Sequence, residues 1–457
     1  MNKRGAMRSI NKTEKINKDT DRVDVEFSAK NITPYGGLGL IHKFNRKLGI
    51  EKILDKVNPL QMDEAGKEPK GVGKKIMSLV YGLMCGLERP SDTEVLKRDK
   101  VVHTVIGYQD YPDQSTFSRF LKSFTVTGAK EIGEKDSQIL LRVRNNFSGW
   151  AKLTLDMDSH VRTVYGNQQR AKVGYNPKKP GRKSYHPLFC FIGETRDFLL
   201  GRFRSGNKYS STGAIELLKE CLRLIPQHIM QLYLRADSGF YSFEFLRFLV
   251  KRGIKYAIAV KLYNTIQMQL GGLDYRAIGG GVEVAEFDYC LLKDKKELPC
   301  RMIAIREEIK EGKEAKKEPK LFELKGYSYQ VIVTNIRGEA PENIWRFYNG
   351  RANIENMIKE AALGFGLEVS PSHCYAGNMA YFQIGMLAYN LMNWFKELAL
   401  DQKKNKAMIK WIRNRFFLIA GKLVRTGRRL ILKLSRSYPW QEEYRKAEAR
   451  LETLQFT

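Results

Sequence analysis

The continuous run "QLYLRADSGFYS", "FEFLRFLVKRG", "IKYAIAVKL", residues 231–262, constrains the fold more than any other stretch of the chain. The outer pieces read as short apolar strands and the middle piece carries apolar residues at helical spacing. A strand, a helix and a strand in that order form a crossover, which makes the two strands parallel. The chain is therefore expected to be an α/β protein. Upstream, "AKLTLDMDSHVRTVYG", residues 151–166, alternates as a strand does. Leu153, Leu155 and Met157 fall on one face, and Thr154, Asp156 and Asp158 on the other. Acids on a strand of this texture are read either as part of a solvated face or as a functional group, because an ionised carboxylate in a core must be paired, hydrated or metal-bound.

The 457 residues include 79 Lys and Arg against 50 Asp and Glu, a formal charge of +29. A length of this order suggests several domains or one core with large insertions. The charge points to a polyanionic partner such as nucleic acid. A membrane is the rival partner, but the longest apolar stretch, "MAYFQIGMLAYNLMNWF", is interrupted by Gln383, Asn390 and Asn393. The opening residues are basic and polar with no apolar segment, so a signal peptide is not expected and a cytoplasmic location is. The six cysteines and six histidines are dispersed without a Cys-x-x-Cys pair. A structural zinc site is not expected, and the cysteines read as reduced thiols.

The texture changes along the chain at boundaries that suggest a basic tail over 1–24 and a helical region over 25–148. In the latter, "LGLIHKFNRKLGIEKILDKV" and "GKKIMSLVYGLMCGLERP" carry helical spacing. In "YPDQSTFSRFLKSF", Asp113 and Ser115 are N-cap types, so a short helix would present Gln114, Thr116 and Arg119 as a groove-reading helix does, or would be an ordinary surface helix. Strands are predicted at 152–158, 161–166, 185–193 and 198–204, and a helix at 212–225. A first core segment would span 149–261, a β-rich insertion 262–335, a second core segment 336–400 and a basic C-terminal region 401–457. The charge run "REEIKEGKEAKKEPK" inside the insertion reads as a solvated loop.

Two further acids stand out. Asp237 lies where a strand gives way to a Gly-containing turn, at the carboxyl end where open α/β sheets bind ligands, although Asp-Ser-Gly is also ordinary turn chemistry. Glu355 lies in "APENIWRFYNGRANIENMIKEAALGFG". On one continuous helix Tyr348, Arg351, Glu355 and Lys359 would fall within an arc of about 80°. The modest alternative is a surface (i, i+4) ion pair between Arg351 and Glu355. An acid of the first strand, Asp156 or Asp158, with Asp237 and Glu355 makes three acids from two strands and a helix, which suit two-metal phosphoryl transfer, in which hard carboxylates hold two Mg²⁺ ions about 4 Å apart. The basic loop "NPKKPGRK" presents Lys178, Lys179, Arg182 and Lys183 between two strands, and in so cationic a chain it reads as a DNA contact.

These motifs resemble those of the DDE transposases of bacterial insertion sequences. "DMDS" resembles the first-acid strand, "RADSGF" the second, and Tyr348, Arg351 and Glu355 a Y-x-x-R-x-x-x-E motif. "YGNQQRAKVGYNPKKPGRKSYHP" and "NMAYFQIGMLAYNL" resemble the branch called IS thirteen-eighty, related to the IS four-like enzymes. The resemblance implies an RNase H-like core, a β-rich insertion between the second and third acids, a helical DNA-binding N-terminal region and cut-and-paste DNA transposition. It implies Asp158, Asp237 and Glu355 as catalytic metal ligands for two Mg²⁺, with Mn²⁺ able to substitute. Asp156 shares the strand face, and Asp158 is preferred because the related motif places a small and then a hydroxylic residue after the acid. Tyr348 and Arg351 would contact the DNA backbone, and Lys359 a phosphate. Terminal inverted repeats and target DNA would be the partners, and a homodimer associated with the nucleoid the working form. The competing readings are a catalytically silent DNA-end-binding protein and a basic RNA-processing nuclease.

Overall fold

The computed structural model describes residues 24–60, 71–309, 322–324, 326–401 and 407–456. Most of the predicted basic tail and of the charge run at 306–320 lies outside them. The described chain opens with the short strand β1 (Ile32–Thr33) and seven helices, α1 (Leu38–Leu48), α2 (Ile50–Leu54), α3 (Val72–Met84), α4 (Glu94–Arg98), α5 (Lys100–Val105), α6 (Gln114–Lys122) and α7 (Val126–Val143). Asp113 caps α6 as predicted, its carboxylate accepting the Thr116 N–H at 2.7 Å.

From residue 152 the chain enters strands. They are β2 (Lys152–Ser159), β3 (Arg162–Thr163), β4 (Lys172–Val173), β5 (Lys183–Tyr185), β6 (Leu188–Ile192) and β7 (Phe198–Arg202). Helix α8 (Ala214–Leu224) leads to the crossover of β8 (Gln231–Ala236), α9 (Phe243–Lys251) and β9 (Lys255–Ala259). The predicted parallel pairing is present: β8 pairs parallel with both β9 and β2. After α10 (Asn264–Leu270) come β10 (Arg276–Gly279), β11 (Val282–Lys293), β12 (Lys296–Glu308), β13 (Phe322–Leu324) and β14 (Tyr327–Thr334).

The large mixed sheet has the order β10-β11-β12-β14-β9-β8-β2-β6-β7, with β13 paired to β14. The β-rich segment is thus an extension of the main sheet, because β14 runs antiparallel to β9 and carries the others outward. The predicted core strand at 161–166 is corrected: residues 162–163 belong to a small separate sheet, β3-β5-β4. The short strands bend away after Ser159, where His160 N–H bonds to the Pro187 carbonyl.

Helices α11 (Pro341–Asn349), α12 (Ala352–Gly364) and α13 (Tyr375–Ala399) follow, then α14 (Ile409–Ile412) and a wider turn at Arg413–Phe417. The basic C-terminal stretch, whose secondary structure the sequence left open, forms the hairpin β15 (Gly421–Thr426) and β16 (Arg429–Leu434), with β15 also paired to β1. Helix α15 (Gln441–Thr453) ends the described chain and packs on α1 and α13.

Helix α13 is buried over nearly its whole length, which explains its apolar sequence without a bilayer. Its polar residues dock it onto the outer strand β7. Asn390 accepts from Phe198 N–H at 2.8 Å and donates to the Phe198 carbonyl and to Asp136, each at 2.9 Å. Gln383 donates to the Gly201 carbonyl. An edge strand's free backbone groups are thereby satisfied from within. One apolar cluster runs from Leu38 through the sheet and α13 to Leu451, so both termini share the central core. Among the described residues no helix is long and apolar enough to cross a membrane.

A candidate active site at the ends of two parallel strands

The register of β2 on β8 sets the site. Asp156 stands opposite Arg235 and Met157 opposite Ala236, so the next pair along the two strands is Asp158 and Asp237. Side chains two residues apart share a face. The face therefore carries two rungs, an Asp-Arg rung within the sheet and an Asp-Asp rung at the carboxyl ends of the strands. The solvated reading of this face is corrected, since Asp156 is fully buried and Asp158 is 7% exposed. Burial is tolerated at the lower rung because Arg235 grips both Asp156 oxygens, at 2.6 and 2.7 Å.

At the upper rung no residue neutralises the charge from within the sheet. Asp158 Oδ1 accepts the Ser159 N–H at 2.7 Å, and Asp237 Oδ1 caps the turn at Ser238–Phe240 through the Gly239 N–H at 2.9 Å. Burial, and next the neighbouring Asp237, push the Asp158 carboxyl up to about 7, against the pull of Arg351. Asp237 is also raised, by burial, with Arg351 and the Gly239 N–H opposing. Two carboxyls displaced upward at one strand end form a place where a cation is favourable.

The third acid arrives on the helical segment that follows the sheet. The prediction of one continuous helix through Tyr348 and Lys359 is corrected: α11 ends at Asn349 and α12 begins at Ala352. The tight link has the Arg351 N–H bonded to the Tyr348 carbonyl at 2.8 Å. Gly350 is required there for close approach, because a Cβ would lie 2.0 Å from Arg235 Nη1. Arg351 then bridges the acids, Nη1 to Asp158 Oδ2 at 3.1 Å and Nη2 to Glu355 Oε1 at 2.6 Å. Burial works against the Arg351 charge, yet Asp158, Tyr348, Asp237 and Glu355 together outweigh it and hold its pKa above the ordinary arginine value. The (i, i+4) pair of the modest reading therefore exists, but Arg351 also reaches the sheet acids.

Tyr348 is 6% exposed and packs in a second apolar cluster with Ile344 and Ala257, its ring 6.0 Å from the Arg351 guanidinium. It forms a wall behind Arg351. Lys359 is exposed one turn beyond Glu355. Lys178, Lys179 and Arg182 are exposed on the turn joining β4 to β5, and Lys183 is exposed as the first residue of β5. Lys178 lies near enough to help hold the Glu368 carboxyl low, an effect led by the hydrogen bond from His160 against burial. The basic loop thus borders the end of β2. Of the residues that α6 was expected to present, Gln114 and Arg119 are exposed and Thr116 is half-buried.

Three residues that meet Ser159 and His160 beside the acids, His186, Ser210 and Glu368, carried no sequence signal. Ser159 Oγ lies 3.0 Å from Ser210 Oγ and 2.9 Å from His186 Nε2, and His160 Nε2 meets Glu368. These partners are separated by tens to hundreds of residues, so the fold alone assembles them.

Three carboxylates without thiolate or imidazole are a donor set suited to Mg²⁺ or Mn²⁺. The expected ready-made metal cluster is not seen, however. Among the described residues no group of three or more His, Cys, Asp and Glu side chains is gathered to hold a metal ion. Glu355 has a side chain that is 63% exposed and is paired with Arg351. The three carboxylates fit the role by their chemistry, with Arg351 holding both Asp158 Oδ2 and Glu355 Oε1 where a cation would have to take its place.

A family model described as "Transposase DDE domain group 1" matches residues 15–295 and 314–456. No curated protein matches the chain. Among solved structures, it is similar to a cryo-EM structure of the piggyBac transposase synaptic complex with hairpin DNA, at 12% identity and a TM-score of 0.42, over 83% of this chain and 79% of that one.

Proposed function

We propose that this chain, which belongs to the transposase DDE domain group 1 family, binds the terminal inverted repeats of a bacterial insertion sequence and catalyses strand cleavage and strand transfer by cut-and-paste. The observation that carries the reading is the Asp158–Asp237 rung at the ends of two parallel strands, with Glu355 one guanidinium away. A structural or purely DNA-occupying protein has no use for two buried, mutually repelling carboxylates. The order β7-β6-β2-β8-β9, with β2, β8 and β9 parallel and β6 antiparallel to β2, supports an RNase H-like core.

In this reading Asp158, Asp237 and Glu355 hold two Mg²⁺ ions, or Mn²⁺ in their place. Bound divalent ions supply an activated attacking oxygen and a stabilised leaving oxygen. The protein's own share is to orient the acids on rigid strands, to keep competing water from the buried rung, and to receive DNA phosphates on Arg351 and Lys359. Tyr348 acts through Arg351, whose guanidinium it backs. The loop of Lys178, Lys179, Arg182 and Lys183 tracks the DNA backbone toward the acids, and the helical region over 25–148 reads the repeat with α6. A homodimer on the nucleoid, and kinship with the IS thirteen-eighty branch, complete the reading.

Strand cleavage of a labelled repeat-end duplex in Mg²⁺ tests it. Asp158→Asn, Asp237→Asn and Glu355→Gln should each abolish cleavage while leaving end binding intact, because the amides keep shape and lose the ligand charge. Normal cleavage by all three would refute the assignment. Competition between repeat DNA and structured RNA separates the transposase from an RNA-processing nuclease.

A further inference from the structure

We infer that Asp156 and Arg235 form a positioning device for the third acid, so that the lower rung of the ladder sets where Glu355 and Arg351 stand. The inference rests on the proposed metal-dependent cleavage and adds residues to it. Asp156 and Asp158 are equivalent by sequence alternation, and the structure gives them different work.

Arg235 is 8% exposed, and three of its donors are committed. Nε and Nη2 hold Asp156 at 2.6 and 2.7 Å, and Nη1 donates to the Phe347 carbonyl at 2.9 Å. Phe347 lies in the last turn of α11, where its carbonyl accepts only a 3.2 Å bond from the Gly350 N–H besides Arg235 and where a cation is favoured. The Phe347 ring packs on the same guanidinium, with its centroid 5.1 Å away. One arginine therefore ties strand β2, through Asp156, to the end of the helix that precedes Arg351 and Glu355.

The surroundings are shaped for this group. A Cβ on Gly350 would lie 2.0 Å from Arg235 Nη1, and one on Gly193 would lie 2.7 Å from Nη2 and 3.1 Å from Asp156 Oδ2. Glycines on opposite sides leave room for the pair and for nothing larger. Arg235 grips both Asp156 oxygens at 2.6 and 2.7 Å from within the sheet, whereas Asp158 accepts one backbone N–H and a longer 3.1 Å contact from Arg351, a partner that a metal ion would displace. A buried ion pair contributes little net stability, so a positional role accounts better for its cost than strength does.

The test uses the full-length protein and Asp156→Asn and Arg235→Lys. Lysine keeps the charge but, as a point donor, cannot hold the carboxylate in two places and the carbonyl as well. Amide hydrogen exchange over 350–358 should quicken in both variants, with end-DNA binding unchanged. The Mg²⁺ concentration for half-maximal cleavage should rise about 10- to 100-fold, the usual cost of losing a group that orients a ligand, with cleavage recovering at saturating Mg²⁺. Should Asp156→Asn fail to fold, Arg235→Lys decides alone. Parent-like exchange and parent-like Mg²⁺ dependence would overturn the inference. So would abolition of cleavage at every Mg²⁺ concentration with exchange unchanged, which would make Asp156 itself a ligand. Failure of the underlying reading looks different: Asp158→Asn would cleave as the parent does, and the exchange measurement would still decide what the pair positions.

Discussion

Among single residues Arg351 has the most demanding place, because it is the cation that two buried acids and one exposed acid share. Its removal takes from Asp158 the cation that bonds to it and leaves Asp237 with only Lys261 opposing its charge. Breaking a buried pair by deleting one partner costs on the order of 3 kcal/mol. Arg351→Ala should therefore melt well below the parent in EDTA, and Mg²⁺ should restore a larger part of the loss than it adds to the parent. Calorimetric scans with and without the ion check this; equal Mg²⁺ shifts in the two proteins would mean that Arg351 and the cation do not share a site. Asp156 illustrates the same physics with a different outcome. It is more deeply buried than Asp158, yet its register partner on β8 is an arginine and not an acid, so its charge is spent within the sheet.

At the scale of elements, two segments bear on function in opposite ways. The basic loop between β4 and β5 is exposed and built to meet a polyanion. Neutralising Lys178, Lys179, Arg182 and Lys183 together should weaken end binding and lower the slope of log affinity against log salt by about 0.9 for each DNA phosphate that the loop no longer neutralises. A slope equal to the parent's would place the loop away from DNA. Helix α13 is instead built for support. Asn390→Ala strips the Phe198 N–H and carbonyl and the Asp136 carboxylate of a partner inside the core. Leaving buried polar groups unsatisfied should cost roughly 3 kcal/mol, read as a drop in the urea midpoint without a change in slope. The link between α11 and α12 belongs to this scale too. Its break lets Tyr348 turn into the apolar cluster while Arg351 turns toward the sheet.

Across the whole molecule, the N-terminal helices and the C-terminal helix α15 close over one apolar cluster with α13 at its centre. A fragment of residues 1–145 would expose the faces of α3, α6 and α7 that pack on α13. Such a fragment should lack a cooperative melting transition, measured by circular dichroism, even if end recognition belongs to that region. A sharp transition in the isolated fragment would show that its helices suffice as a core. The same enclosure affects pH response. Burial, and then Arg46, hold the His42 imidazole down at about 4 from an ordinary 6.5. Between those values the unfolded chain takes up a proton that the folded chain refuses. The stability linked to His42 is thus fully present above about pH 6.5 and is lost as pH falls toward about 4. His42→Gln should shrink the fall in unfolding free energy over that window by an amount on the order of 1 kcal/mol, after allowance for solvent screening, read from urea melts at each pH. An identical pH profile would exclude the histidine as a cause.

Local pattern was enough to determine the parallel crossover at 231–262, the strand that carries Asp156 and Asp158, the Asp113-capped helix and the inventory of acids, because alternation, helical period and capping are properties of neighbours in sequence. Register was not local. Whether Asp156 or Asp158 meets an acid depends on which residues of β8 lie alongside, and a shift by one would exchange the faces. The apparent single helix from Tyr348 to Lys359 followed the period correctly but could not show Arg235, more than a hundred residues away in the chain, pressing against Gly350. The C-terminal hairpin gave no clear signal among its basic residues, and its pairing partner was a two-residue strand at the other end of the chain. Chemistry-bearing residue types are written in the sequence, whereas the neighbours that charge, neutralise or aim them are chosen by long-range packing, and that choice makes Asp158 and Asp237 a site and Asp156 its support.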